Sequence, residues 1–169
     1  RVALMMGNRL EFAISFFALA KIGAIAVPLN TAYRGEEIIF QLNDSGSFMI
    51  IVDPEFRNII AEVKSEIRSL KHICETGTDE FSELFKEKEY KPLDVQVDET
   101  DGIAIMYTSG TTGRPKGALL HHKGIIATAM NAAEVYDLRA GRDKMLNVVP
   151  LFHITGLAII LLTSVYAGI

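Results

Sequence analysis

An α/β architecture, with a mostly parallel sheet layered between helices, is expected from three properties of this 169-residue chain. Short runs that are apolar throughout, such as Val2–Met6 and Phe48–Val52, read as strands buried on both faces. Between them lie segments whose apolar residues recur at helical spacing. A content of 49% hydrophobic and 22% charged residues is that of an ordinary globular core, long enough for one domain, and it excludes a disordered chain.

The elements follow in order. Val2–Met6 ends at Gly7 and starts the sheet. Asn8 followed by Glu11 reads as a helix start, the Asn accepting from first-turn amides and the Glu reaching back. That helix should run to about Ile22 and close at Gly23 in the left-handed conformation. Ala24–Pro28 is a second strand, Glu36–Asp44 a short helix with Ile38, Ile39 and Leu42 inward, and Phe48–Val52 a third strand. Asp53-Pro54 should cap a helix of four turns with Phe56, Ile59, Ile60, Val63, Ile67 and Leu70 on its core side. His72–Glu75 is expected at a sheet edge, with Phe81, Leu84 and Phe85 lining a further short helix.

The stretch from Thr76 to Asp101 is the most charge-dense and is placed on the surface, between a first half of about 1–75 and a second of about 102–169. In the second half Gly102–Thr108 is a strand, followed by a Gly-rich loop. A helix then carries Ile125, Ile126, Ala129, Ala132, Ala133 and Tyr136 on one side. Met145–Val149 reads as a strand, and His153 to about Ala167 as a helix.

Composition narrows function. The 17 Lys and Arg against 21 Asp and Glu give a net charge of -4, which offers no footprint for nucleic acid. The single cysteine, Cys74, cannot form an internal disulfide and has only an isolated His72 nearby, so a reducing compartment and no structural zinc are expected. Residues Met145–Ile169 contain no Asp, Glu, Lys or Arg, long enough to raise a membrane span. Asn147, Pro150, His153 and Thr155 interrupt it, so a buried strand and helix are expected instead of a transmembrane segment. The start at Arg1 without methionine and the stop within an apolar element read as a piece of a longer protein.

The chemistry concentrates in Tyr107-Thr108-Ser109-Gly110-Thr111-Thr112-Gly113-Arg114-Pro115-Lys116-Gly117. Its three glycines free the backbone amides to turn toward one point, and four hydroxyls and the Lys116 ammonium add donors. Such a loop beyond the carboxyl end of a strand suits a polyphosphate. The P-loop pattern of kinases and ATPases does not fit, because Pro115 and Ala118 stand where it needs glycine. The dinucleotide fingerprint fails as well. A flexible surface turn is the plainer reading of Gly, Ser, Thr and Pro, but four hydroxyls in five positions followed by a lysine favour phosphate binding.

Residues 107–117 resemble, at every position, the phosphate-binding signature of the adenylate-forming enzymes: acyl- and aryl-CoA synthetases, luciferases and peptide-synthetase adenylation domains. Pro150-Leu151-Phe152-His153-Ile154-Thr155-Gly156 is similar to a segment near the acyl pocket of the CoA-ligase branch, and Gly23–Asn30 resembles the family's N-terminal domain. The resemblance implies part of that large N-terminal AMP-binding domain, covering 1–169. It also implies a reaction in two steps. A carboxylic acid, expected to be a fatty acid, attacks ATP to give an acyl-adenylate and pyrophosphate, and coenzyme A then takes the acyl group. By the same resemblance Thr108, Ser109, Gly110, Thr111, Thr112, Gly113 and Lys116 hold the phosphates, Lys116 and His153 take part in catalysis, and Mg2+ accompanies ATP although no carboxylate here is an obvious ligand.

Alone between apolar residues, a histidine such as His153 is usually structural, so its role rests on the motif. Relatives that activate amino acids carry an aspartate in this region to pair with the substrate ammonium. None lies between Met145 and Ile169, which favours a plain fatty or aromatic acid. His121-His122 replaces the family's Ser or Thr then His, so His121 is a weak helix cap, and adjacent histidines point apart rather than forming a metal pair. The adenine, ribose and C-terminal lysine motifs of the family are absent from these residues, so the segment alone is expected to be inactive. A nucleotide-binding or interaction module using the same loop without ligase chemistry, or a membrane-anchored protein, are the competing readings. A cytoplasmic ligase of fatty-acid metabolism is the leading one.

Overall fold

The computed structural model describes residues 1–84, 86, 94–108 and 114–169. Strands β1 (Val2–Met5), β2 (Ala26–Pro28), β3 (Met49–Val52), β4 (His72–Glu75) and β5 (Gly102–Thr108) run parallel, and β6 (Lys116–His121) returns antiparallel to β5. Across the sheet they stand in the order β4-β3-β1-β2-β5-β6. The helices are α1 (Leu10–Lys21), α2 (Gly35–Ser45), α3 (Arg57–Val63), α4 (Asp79–Glu83), α5 (His122–Val135) and α6 (Thr163–Ala167). A π-helix over Thr155–Leu162 leads into α6.

Strand alternation assigns the layers. Val2, Leu4 and Met6 pack with Phe12, Phe16, Phe81, Ile125, Leu151 and Leu157, so α1, α4, α5 and the π-helix share one face. Ala3, Met5, Val27 and Leu29 pack with Ile38, Leu42, Ile60 and Val63, so α2 and α3 cover the other. Burial on both faces explains why β1 is apolar at every position.

Two details set up the carboxyl edge of the sheet. Leu29 donates its N–H to Leu4 O at 2.9 Å, and Val2 donates to Ile25 O at 2.9 Å, so odd positions of β2 face β1. Position 28 therefore turns toward β5, and a proline there has no N–H to give. The β2–β5 register is confined to Ala26 and Ala104, and beyond it the strands are no longer paired. On the other side of β1, the buried Asp53 carboxylate accepts from Gly7 N at 3.2 Å, the Arg9 guanidinium at 2.8 Å and the Thr76 hydroxyl at 2.7 Å. It joins the ends of β1, β3 and β4.

Several sequence expectations are corrected. Asn8 does not cap α1: Arg9 holds the N-cap position with no side-chain bond, and Asn8 reaches residues 147–151 instead. Glu11 pairs with Arg9 at 3.0 Å. Asp53 is likewise drawn away from capping, and the four-turn helix is broken into a 3-10 turn over Pro54–Phe56, α3, and a second 3-10 turn over Lys64–Glu66. β6 was not expected. It forms because the loop returns as a hairpin rather than opening a helix. Residues 145–149 join no strand pair, and with Leu146 81% and Val148 75% exposed their apolar run is not a buried one. Ile126 and Tyr136 lie outward on α5 and Leu84 is exposed, while Phe85 lies outside the described residues. Gly23 takes the left-handed conformation, with φ of +69°, as expected.

Replacing Asp53 by Ala should destabilise the chain by about 1–3 kcal/mol, because it leaves the buried Thr76 hydroxyl and the Gly7 amide without an acceptor. Urea unfolding of both proteins measures this. Equal midpoints and slopes would mean that water satisfies these donors and the carboxylate joins nothing.

Candidate functional site

Adjacent strands whose chains leave in opposite directions open a crevice at the carboxyl edge of an α/β sheet. β2 leaves through α2 toward β3, and β5 turns the other way into β6. Between their ends lies a cavity of about 350 Å³, with Pro28 and Asn30 on one side, Met106, Tyr107 and Thr108 on the other, and His153 closing it. The first hydroxyl of the loop and the histidine, 45 positions apart by their numbers, thus meet at one cavity.

The loop is carried by a β-hairpin. Thr108 and Lys116 are cross-strand partners, so their side chains share a face at the mouth of the loop. Ser109, Gly110, Thr111, Thr112 and Gly113 lie outside the described residues. Lys116 is exposed and is not among the residues lining the cavity. Both stems lean on α2. The Tyr107 hydroxyl donates to Asp44 Oδ2 at 2.6 Å, its ring meets that of Phe40 edge-on at 6.3 Å, and the Arg114 guanidinium stands 5.9 Å over Phe40. Gly117 lies opposite Tyr107, where a Cβ would come within 2.8 Å of Ile105 and 3.1 Å of the Tyr107 ring. The last glycine of the motif therefore makes room for the tyrosine.

His153 stands just before the π-helix. Its Nδ1 accepts the Thr155 N–H at 3.2 Å, which leaves Nε2 as the protonated nitrogen of the neutral ring. A Cβ on Gly156 would collide with the carbonyl oxygens of Val149 and Pro150, so this turn closes against its own backbone only with glycine. Sequence reasoning missed Gln41, which is fully buried at this cavity with neither amide atom hydrogen-bonded, and also Asn30 and Tyr33. For Asn30 and Tyr33 the one signal was position after a strand end, and Gln41, within α2, had none. His121 takes the N-cap of α5 without a side-chain cap bond, as its residue type suggested.

A larger, open hollow of about 700 Å³ flanks Arg114 and Pro115. Glu36, Glu37, Asp44 and Glu66 line it, a charge that repels polyphosphate. Among the described residues no group of three His, Cys, Asp or Glu could hold a metal ion, and no helix is long and apolar enough to cross a membrane. Burial, and then the bond to Asp44, raises the Tyr107 phenol above its ordinary range.

A family model described as AMP-binding enzyme matches residues 1–169. Long-chain-fatty-acid–CoA ligase FadD13 of Mycobacterium tuberculosis is 34% identical over 165 residues, covering 97% of this chain and 33% of the relative. The solved N-terminal domain of FACL13 from the same organism superposes with a TM-score of 0.86 at 33% identity, over 99% of this chain and 42% of that one. An anthranilate CoA ligase, AuaEII, solved with anthranoyl-AMP, superposes with a TM-score of 0.90 at 30% identity, over 99% of this chain and 32% of that one. The chain spans about a third of the length of the curated relatives it matches.

A raised phenol stabilises the fold at neutral pH, and that stability is lost as pH rises above about 10, where the unfolded tyrosine ionises first. The phenolate absorbance difference between the parent and Tyr107→Phe should therefore appear well above about pH 10. A component titrating at the ordinary value would mean that the ring is neither buried nor bonded to Asp44.

Proposed function

Because the chain belongs to the AMP-binding enzyme family, we propose that it is the phosphate-loop part of the N-terminal domain of an ATP-dependent acid–thiol ligase. The observation that carries this reading is the convergence of Thr108 and His153 on one cavity between β2 and β5. Its division is about 1–75, a polar excursion over 76–101, and a loop-bearing half over 102–169. The relatives are named as CoA ligases, which leaves a binding module without ligase chemistry unsupported.

A carboxylate oxygen of the substrate attacks the α-phosphorus of ATP, the bond to the bridging oxygen breaks, and pyrophosphate leaves with the electron pair. Two anions must meet, so the rate depends on positioning and on cancelling charge that grows on the leaving group. Thr108, Ser109, Thr111, Thr112 and the amides of Gly110 and Gly113 hold the β- and γ-phosphates, and Lys116, across the hairpin from Thr108, adds a mobile positive charge. His153 offers Nε2–H to the carboxyl end of the acid. The coenzyme A thiol then attacks the acyl carbon and AMP departs. Mg2+ enters with ATP, and since the described residues offer it no set of ligands, no step is assigned to it through this chain.

The substrate is an acid without an α-ammonium group, fatty or aromatic, because no carboxylate between Met145 and Ile169 could pair with a buried ammonium. ATP binding, a cytoplasmic location and a place in lipid metabolism go with this reading.

In the whole protein, Lys116→Ala with Thr111→Ala should lower the adenylation rate by at least about 10²–10³-fold, the usual loss for one such donor. Thioester formation from pre-made acyl-adenylate should fall far less. Pyrophosphate release and thioester yield, measured separately, decide it: an equal loss in both steps removes the loop from pyrophosphate departure. In a screen of acids, fatty and aromatic acids should exceed amino acids, and His153→Asp should be worse than His153→Ala through repulsion of the substrate anion. Preference for an amino acid, or a fully active His153→Asp, overturns the substrate class and the place of His153.

A further inference from the structure

The segment that delivers His153 has no secondary structure of its own, and its Leu146 and Val148 side chains point outward. No ladder locates it before Leu151, and its apolar burial is only partial, at Met145 and Val149. Much of its backbone is instead held by side chains. One side chain takes three of its groups: Asn8 Nδ2 donates to Val149 O at 2.9 Å and to Asn147 O at 3.5 Å, and Asn8 Oδ1 accepts from Leu151 N at 2.8 Å. A carboxamide suits the task, since it presents two N–H donors and a carbonyl acceptor side by side without charge. The far end of the turn is closed by Asn147, which accepts from Val149 N at 3.1 Å and donates to Gly156 O at 3.1 Å.

Asn8 is itself placed by its neighbours. Gly7 and Arg9 on either side both donate to the buried Asp53, which Thr76 also holds. The reference frame for the loose segment is therefore the carboxyl edge of the sheet, where the ends of β1, β3 and β4 are tied together. We propose that Asn8 is a positioning residue that sets His153 against the loop mouth at Thr108. This inference rests on the ligase reading, and it adds a residue 145 positions away from His153 by their numbers to the machinery of the first step. Asn8 does not line the cavity between β2 and β5. It acts through the turn.

The test is a double-mutant cycle in the whole enzyme, reading acyl-adenylate formation. Asn8→Ala should lower kcat by about 10–10²-fold, the scale of a misplacement near 1 Å, while KM for ATP stays within about twofold because the phosphate loop is untouched. In a His153→Ala background the same substitution should cost less than about twofold, since residues acting as a unit are not additive. Asn8→Asp, of the same shape, keeps the acceptor for Leu151 N–H but loses the donor to Val149 O. Its other oxygen faces the Val149 and Asn147 carbonyls, so it should lose at least as much kcat as Asn8→Ala. Asn8→Ser, which keeps a hydroxyl there, should lose less and serves as the probe if the alanine variant does not fold. Equal losses in both His153 backgrounds, or Asn8 variants with parental kcat, overturn the proposal alone. A parent that forms no acyl-adenylate with any acid overturns the ligase reading and this inference with it.

Discussion

Much of the molecule follows from one buried charge. A carboxylate as enclosed as that of Asp53 is tolerated only when its oxygens are fully engaged, because desolvation of an ion costs several kcal/mol. The donors that engage it come from the turn after β1 and from the end of β4. Satisfying the charge therefore fixes how three strand ends sit together. It also costs the local structure something: Arg9 is committed to Asp53 and Glu11, α1 starts without a side-chain cap, and the segment after Asp53 begins as a 3-10 turn. Local preference gives way to a tertiary tie, and the displaced Asn8 is thereby free to serve a segment distant in sequence.

The same trade governs the other side of the sheet. The loop hairpin has little pairing with β2, so it is held by the burial of Ile103, Ala104 and Met106, by pairing with β6, and by α2 through Asp44 and Phe40. Held from below by a helix rather than from the side by a strand, the mouth of the loop stays open toward His153. A fully zipped β2–β5 ladder would fill the crevice that the proposed chemistry needs.

Most of the framework was legible in the sequence, because strands covered on both faces must be apolar throughout, and β1, β2 and β3 are near that limit. What escaped was decided by long-range contacts. Lys116–His121 carries only the short apolar run Ala118-Leu119-Leu120, of which Leu120 alone is partly buried, and its being a strand depends on pairing back on β5. Met145–Val149 has the apolar content of a strand, but it pairs with no strand among the described residues. Asn8 has the residue type of a helix cap, and nothing local distinguishes a cap from a carboxamide that binds a chain segment more than a hundred residues away. The two motifs were visible because their residue types are unusual. Asn30, Tyr33 and Gln41 were not, since only the fold brings them to the same cavity.

Pro28 has a consequence for how such a protein diversifies. A hairpin joined to the body of its sheet through a single register pair is close to a cassette. Its turn can be lengthened, shortened or rewritten between Thr108 and Lys116 without re-pairing any of the strands on the far side of the proline. A change there is borne by the contacts of Tyr107 and Arg114 with α2, and the strand order across the sheet need not answer to it.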